Sequence, residues 1–253
     1  MRTFASMNAG RNLYTQTGVS LVELMIAMTI GLLLIAVVEN VYLAGRQSFQ
    51  DQDESARLQE TGRFVLDTVS RVVLEAGRAD VAPDNTLLTF AGIPGAGMAI
   101  DGTNGAGAAP DTLTIRFASA SPGEFDCLGA NTGGTAAIPV VVTQTLALVG
   151  TDLRCTSSIG ADTQPLAGNV EDFQVTFGLD ANNDMNVDQY VDPTTANAPA
   201  TRAVRVCVLV RTADGRAPAP QQYIDCNGNV VVAPDRRIRR AFTKVIGLRN
   251  RLG

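Results

Sequence analysis

Glu23 carries the clearest chemical signal in this chain, because of where it stands. From Val19 to Val38 almost every residue is apolar; as a helix this is about twenty residues or ~30 Å, the thickness of a bilayer's hydrocarbon core. An ionised carboxylate one turn into such a run costs roughly 2.5–3.5 kcal/mol, so it demands a cation. The run holds no Lys or Arg. If a peptidase cut after Gly18, the new α-amine of Val19 would lie about 6 Å along the helix from Glu23. The carboxylate could meet that amine or the same amine of a neighbouring subunit, and the second pairing would favour packed assemblies over lone helices.

The other residue types exclude more chemistry than they suggest. His is absent, which removes Ser-His-Asp and Cys-His nucleophiles and any His-ligated zinc or haem. No G-x-x-x-x-G-K-[ST] and no complete G-x-G-x-x-G occurs, so no phosphate-cradling loop is expected. A membrane-anchored periplasmic enzyme would need a catalytic cluster that the sequence does not display. Cys127, Cys155, Cys207 and Cys226 all lie beyond the apolar run and form no C-x-x-C; two structural disulfides in an oxidising compartment are expected. Of the three possible connectivities the sequential one is preferred, Cys127 with Cys155 and Cys207 with Cys226. Oxygen-bearing side chains recur at alternate positions in Asp180, Asn182, Asp184, Asn186 and Asp188. That spacing is similar to the start of an EF-hand calcium loop, but Met185 stands where the loop needs glycine and Val191 where it needs a bidentate acid. The same residues read as an Asx-rich turn, which is the preferred reading beside possible calcium.

Positioning these residues takes one long helix and a β-rich domain. No proline occurs between Val19 and Pro83, and Leu58, Val65, Val69, Val72 and Ala76 fall on one face of a 3.6-residue helix. The expected parts are a leader at 1–18, a transmembrane half-helix at 19–42, an amphipathic half at 43–79, and a β-rich domain at 80–253. Gly31, Gly45 and Gly62 are the points where the helix could bend. Acid precedes base by four residues at Asp53/Arg57 and Asp67/Arg71. Strands are expected at Leu87–Phe90, Leu113–Phe117, Val140–Thr143, Phe173–Leu179, Val204–Val210 and within Ile238–Leu248, with long loops at Ala91–Pro110 and Ala118–Pro139. A helix followed by antiparallel strands gives an α+β fold, the second half of the helix lying on the sheet.

The charges set orientation and partners. The leader holds Arg2 and Arg11 and no acid, so it stays cytoplasmic under the positive-inside bias; losing it takes the formal net charge from −5 to −7. This balance argues against nucleic acid as a partner. Seven of the twenty basic residues crowd the last eighteen positions, Arg236, Arg237, Arg239, Arg240, Lys244, Arg249 and Arg251. They read as the solvated face of a closing strand, with contact to DNA or, ahead of it, to an acidic neighbouring subunit as the alternative. A secretory signal peptide fits poorly, because the apolar core is long, contains Glu23 and leads to no good cleavage site. An ordinary single-span anchor fits the length and leaves Glu23 unexplained.

Gly18 followed by Val-Ser-Leu-Val-Glu23 resembles the processing site of type IV prepilins. The resemblance implies cleavage after Gly18 by a prepilin peptidase, N-methylation of Val19, and Glu23 as the assembly glutamate. Val19 replaces the commoner phenylalanine, and the leader is long. The order of parts, with the ending Arg239-Arg-Ala-Phe-Thr-Lys-Val-Ile-Gly-Leu-Arg-Asn, is similar to PilW-like minor pilins. That implies a pilin-like fold and a non-catalytic subunit, held in the inner membrane by a single span with its N-terminus cytoplasmic. It would join other minor pilins and the major pilin, prime pilus assembly, sit near the fibre tip, and serve twitching or adhesion outside the cell. A minor pseudopilin of a type II secretion system is the nearest alternative.

Overall fold

The computed structural model describes residues 18–78, 99–107, 109–135, 137–160, 162–195 and 200–250. Residues 1–17 of the expected leader, the expected strand Leu87–Phe90 and Arg251 lie outside the described residues. The chain divides into two compact units, Met1–Gln50 and Asp51–Gly253. Helix α1, Leu21–Leu74, contributes to both. It is unbroken through Gly31, Gly45 and Gly62, the glycines expected as bending points.

In the first unit α1 starts where the Leu24 N–H donates to the Ser20 carbonyl at 3.1 Å. Large apolar side chains from Val19 to Leu43 are exposed along it. Among the described residues α1 is the one helix long and apolar enough to cross a membrane, and an apolar surface of this extent requires lipid or protein to cover it.

The second unit is α+β. Strands β1 (Ile100–Thr103), β2 (Thr112–Ser119), β3 (Val140–Val149), β4 (Asp152–Ser157) and β5 (Thr163–Ala167) form one antiparallel sheet in chain order. A second sheet runs β11–β8–β6–β7, from β6 (Val170–Leu179), β7 (Gln189–Val191), β8 (Thr201–Arg211) and β11 (Arg239–Gly247). A hairpin of β9 (Gln222–Ile224) and β10 (Val230–Val232) stands apart. The expected single sheet is thus two sheets and a hairpin. The expected loop Ala91–Pro110 contains β1, a strand too short and glycine-broken to show as alternation.

One apolar cluster joins helix and sheets. Val65, Leu66, Val69, Val72, Val73 and Ala76 of α1 share it with Ile115 and Leu146 of the first sheet and Phe173, Phe177, Val204, Val206 and Val208 of the second. Each fully buried Val, Leu or Phe contributes roughly 1.5–3 kcal/mol. The helix face that enters this core holds Gly62, and a Cβ there would fall on the ring of Phe242 in β11. Gly62 is a close-approach position.

The helix ends by an identifiable device. Gly77 adopts φ 70°, a left-handed turn suited to glycine at a C-cap. Its N–H leaves the helix for the Arg116 carbonyl at 2.9 Å. Asn250 then reaches back from the far end of the chain, Nδ2 donating to the Leu74 carbonyl at 2.8 Å, which satisfies one of the orphan acceptors of the last turn.

Candidate functional site

Among the described residues nothing packs on the processing segment: Gly18, Val19 and Glu23 are exposed, and no described atom beyond the chain neighbours lies within 4 Å of where a Gly18 Cβ would point. Thr29 and Asn40, also on the apolar helix, satisfy themselves: Thr29 Oγ1 donates to the Ile26 carbonyl at 2.8 Å and Asn40 Nδ2 to the Ala36 carbonyl at 2.7 Å. Among the described residues Glu23 has no hydrogen-bond or ion-pair partner. It does sit in the first helical turn, where the positive end of the helix dipole favours an anion. Half a charge of dipole is screened and diffuse, so a full cation remains the fitting partner.

The cysteines are joined Cys127–Cys155 and Cys207–Cys226, with Cα–Cα separations of 6.5 and 5.7 Å. The first ties the loop after β2 to β4, and the second fastens the β9–β10 hairpin to β8. Both bridges lie in the second unit.

The Asp180 segment is built as a turn and does not fit a calcium ion. Asp180 is buried; its Oδ2 takes the Arg202 Nε at 2.6 Å, and its two oxygens also accept the N–H groups of Asp184 and Met185, each at 3.1 Å. Burial would raise this carboxyl, but the Arg202 hydrogen bond and charge, with those N–H groups, hold it below the usual carboxylate range. Asn182 Oδ1 accepts the Asp184 N–H, Asp184 Oδ1 the Asn186 N–H, and Asp188 Oδ2 the Ala181 N–H. The side-chain oxygens of Asp180, Asn182, Asp184 and Asp188 are thus engaged by backbone N–H groups, by the Arg202 guanidinium and by the Asn182 amide. Asn186 joins the set only through its N–H. Among the described residues no group of three His, Cys, Asp or Glu is arranged to hold a metal.

The signature of the type IV pilus-assembly protein W family matches residues 128–250, and the prokaryotic N-terminal methylation motif matches residues 14–38. The chain is similar to PilW-like type IV minor pilins. The methylation motif brackets Gly18, Val19 and Glu23, while the PilW match spans the Asp180 turn, both cysteines of the second bridge, and β11. Among solved structures the chain is similar to a type IV-like pilin from Thermus thermophilus, at 15% identity, covering 77% of this chain and 96% of that one with a TM-score of 0.49. No curated protein matches it.

The C-terminal basic cluster is only partly a solvated face. Arg236, Arg240 and Arg249 are exposed, but the Arg239 side chain is 2% exposed. It grips Glu171 through Nε at 2.5 Å and Nη2 at 3.0 Å, and Asp235 through Nη1 at 2.6 Å. Its guanidinium also faces the Tyr223 ring at 5.7 Å. Arg239, with the Arg237 N–H, holds the Asp235 carboxyl down at about 2; Asp235 in turn raises the guanidinium's own pKa. This clasp joins β11, β6 and the hairpin. Lys244 takes Asp67 of α1 at 2.8 Å, so the pairing expected for Asp67 with Arg71 goes to a residue of β11; Asp53 and Arg57 do pair, at 3.0 Å.

Proposed function

We propose that this protein is a structural, non-catalytic subunit that primes assembly of a type IV pilus near the fibre tip. Prepilin peptidase cuts it after Gly18 and methylates Val19. The supporting observation is Glu23: a carboxylate without a partner among the described residues, one turn into an exposed apolar helix, inside the methylation motif. A methylated amine keeps its charge, so the Val19 terminus of a neighbouring subunit can still neutralise Glu23. In the bilayer that pairing relieves the ~2.5–3.5 kcal/mol that an isolated carboxylate costs. Two subunits are then held in axial register by one short-range contact, while the apolar helices cover each other. Until assembly the subunit waits in the inner membrane, its leader cytoplasmic and its disulfide-bonded domain outside. The PilW match over 128–250 supports a pilus over a secretion pseudopilus. Intact-mass and N-terminal peptide analysis tests the processing, with methylated Val19 as the expected first residue; a start between Ala36 and Arg46 would instead indicate signal peptidase. Deletion of the gene, scored for surface pili and twitching against protein secretion, tests the choice of machine.

A further inference from the structure

A cavity of ≈ 330 Å³ opens beside the α1 segment that carries Asp53, Glu54 and Arg57, and the end of β8 with its following turn, Arg211 to Arg216, forms its other wall. It is rich in charge, and nearly all of that charge is spoken for. Asp53 takes Arg57 at 3.0 Å, Glu171 takes Arg211 at 2.8 Å, and Asp214 takes Arg216 at 2.8 Å. Glu54 is left over. Its side chain is 11% exposed, and its Oε1 reaches only Arg216 Nε at 3.7 Å. Its Oε2 is buried and accepts no hydrogen bond among the described residues.

A carboxylate oxygen removed from water without a donor is a standing cost to the fold. Burial raises the Glu54 pKa, Asp51, Asp53 and Asp214 add to the effect, and Arg216 opposes it. The lining holds three acids, Asp53, Glu54 and Asp214, and three arginines, Arg57, Arg211 and Arg216; what stays unmatched is the single oxygen Glu54 Oε2. A divalent cation does not answer the need, since hard cations require several converging oxygens and no acid triad is so placed among the described residues. A guanidinium or ammonium on a flexible stem fits both the volume and the single orphan oxygen.

We propose that this cavity is an inter-subunit socket, which receives an arginine or lysine side chain of a neighbouring pilin and pairs its cation with Glu54 Oε2. The inference rests on the pilus-subunit reading above. It adds a second contact to that reading, made by the globular unit, in which a carboxylate oxygen that accepts no hydrogen bond among the described residues is satisfied on assembly.

The experiment uses the full-length protein, purified in detergent for melting and expressed in a deletion strain for assembly. Glu54→Gln keeps the shape and removes the charge. At pH 7 it is expected to raise Tm by roughly 2–4 °C, the shift that relief of about one buried unpaired group gives in a domain of this size. It is also expected to lower incorporation into sheared pili by about tenfold or more, because the neighbour's cation would then be buried without its partner. An unchanged or lower Tm would show that the carboxylate is already compensated within the chain and would overturn the socket. Normal incorporation would overturn it too. Glu23→Gln in the same strain separates the two ideas: if it blocks incorporation while Glu54→Gln does not, only the socket falls, and if both incorporate normally the pilus-subunit reading falls with it.

Discussion

Gly62→Ala tests whether α1 is held against β11 by close approach. In an exposed helix this substitution stabilises by about 1 kcal/mol, since glycine is the poorer helix former. At Gly62 the new methyl falls on Cγ, Cδ2 and Cε2 of Phe242. An aromatic ring cannot evade it as the end of a long flexible chain would, and Phe242 is packed against the core. It is also held in register opposite Val208. Forcing a methyl into such a site costs roughly 1–3 kcal/mol. The net expectation is a loss of roughly 0–2 kcal/mol, or at most about 4–8 °C in Tm at 2–4 °C per kcal/mol. Thermal and urea unfolding of the full-length protein in detergent, followed by circular dichroism, measures it. The double variant Gly62→Ala with Phe242→Leu should recover part of the loss, with a coupling of about 0.5–3 kcal/mol. A Gly62→Ala protein more stable than wild type by about 1 kcal/mol, with strictly additive behaviour alongside Phe242→Leu, would refute the argument and leave Gly62 an ordinary helix glycine.

Glu23→Gln should leave membrane insertion and cleavage intact, because a neutral side chain inserts more readily, while incorporation into pili falls about tenfold or more; normal pilus numbers in a strain that needs this subunit would contradict it. Each disulfide closes a loop of 28 or 19 residues, so replacing either pair by serine should cost about 3–4 kcal/mol. Non-reducing peptide mapping should return only Cys127–Cys155 and Cys207–Cys226 peptides. For acid stability the sign follows from Asp235, whose carboxyl is depressed from 3.8 to about 2: the contribution is fully present above the unfolded value, near pH 4, and is lost as pH falls through about 2. Arg239→Met should flatten that limb of the stability profile, and an unchanged acid limb would show that the clasp is not coupled to folding.

How much of this was legible in the sequence depended on the range over which each signal acts. The helix and the strands β2, β3, β6, β8 and β11 were readable because a period of 3.6 or 2 repeats within a few residues. Strands β9 and β10 were not, with three residues each, and β5 was hidden by Pro165 and an exposed pattern. The basic cluster was visible as a cluster, but nothing local separated Arg239, which is buried against Glu171 sixty-eight residues away, from Arg240, which is exposed. Lys244 with Asp67 and Asn250 with Leu74 join positions 177 and 176 apart; no periodicity reports such pairs. The alternate oxygens from Asp180 to Asp188 were a true regularity given two readings by sequence. What decided between them was Arg202, a residue on another strand whose cation settles on the first oxygen of the would-be loop.

The same contrast separates the two glutamates on α1. Glu23 could be singled out from sequence because the medium that makes it costly is written beside it, in the apolar residues from Val19 to Val38. Glu54 stands in a stretch of Gln, Asp and Ser, Gln50-Asp-Gln-Asp-Glu-Ser, which looks solvated, and its acidic neighbours suggest only a wet helix face. Its burial is supplied from far along the chain, by the Arg211–Arg216 turn that closes the cavity. A carboxylate signals a missing partner only when its surroundings are dry, and dryness is local for a membrane helix but tertiary for a globular domain. In a subunit made of both, the sequence can therefore announce the contact formed in the bilayer while concealing one formed outside it, and the second has to be sought among buried polar atoms that the fold leaves unsatisfied.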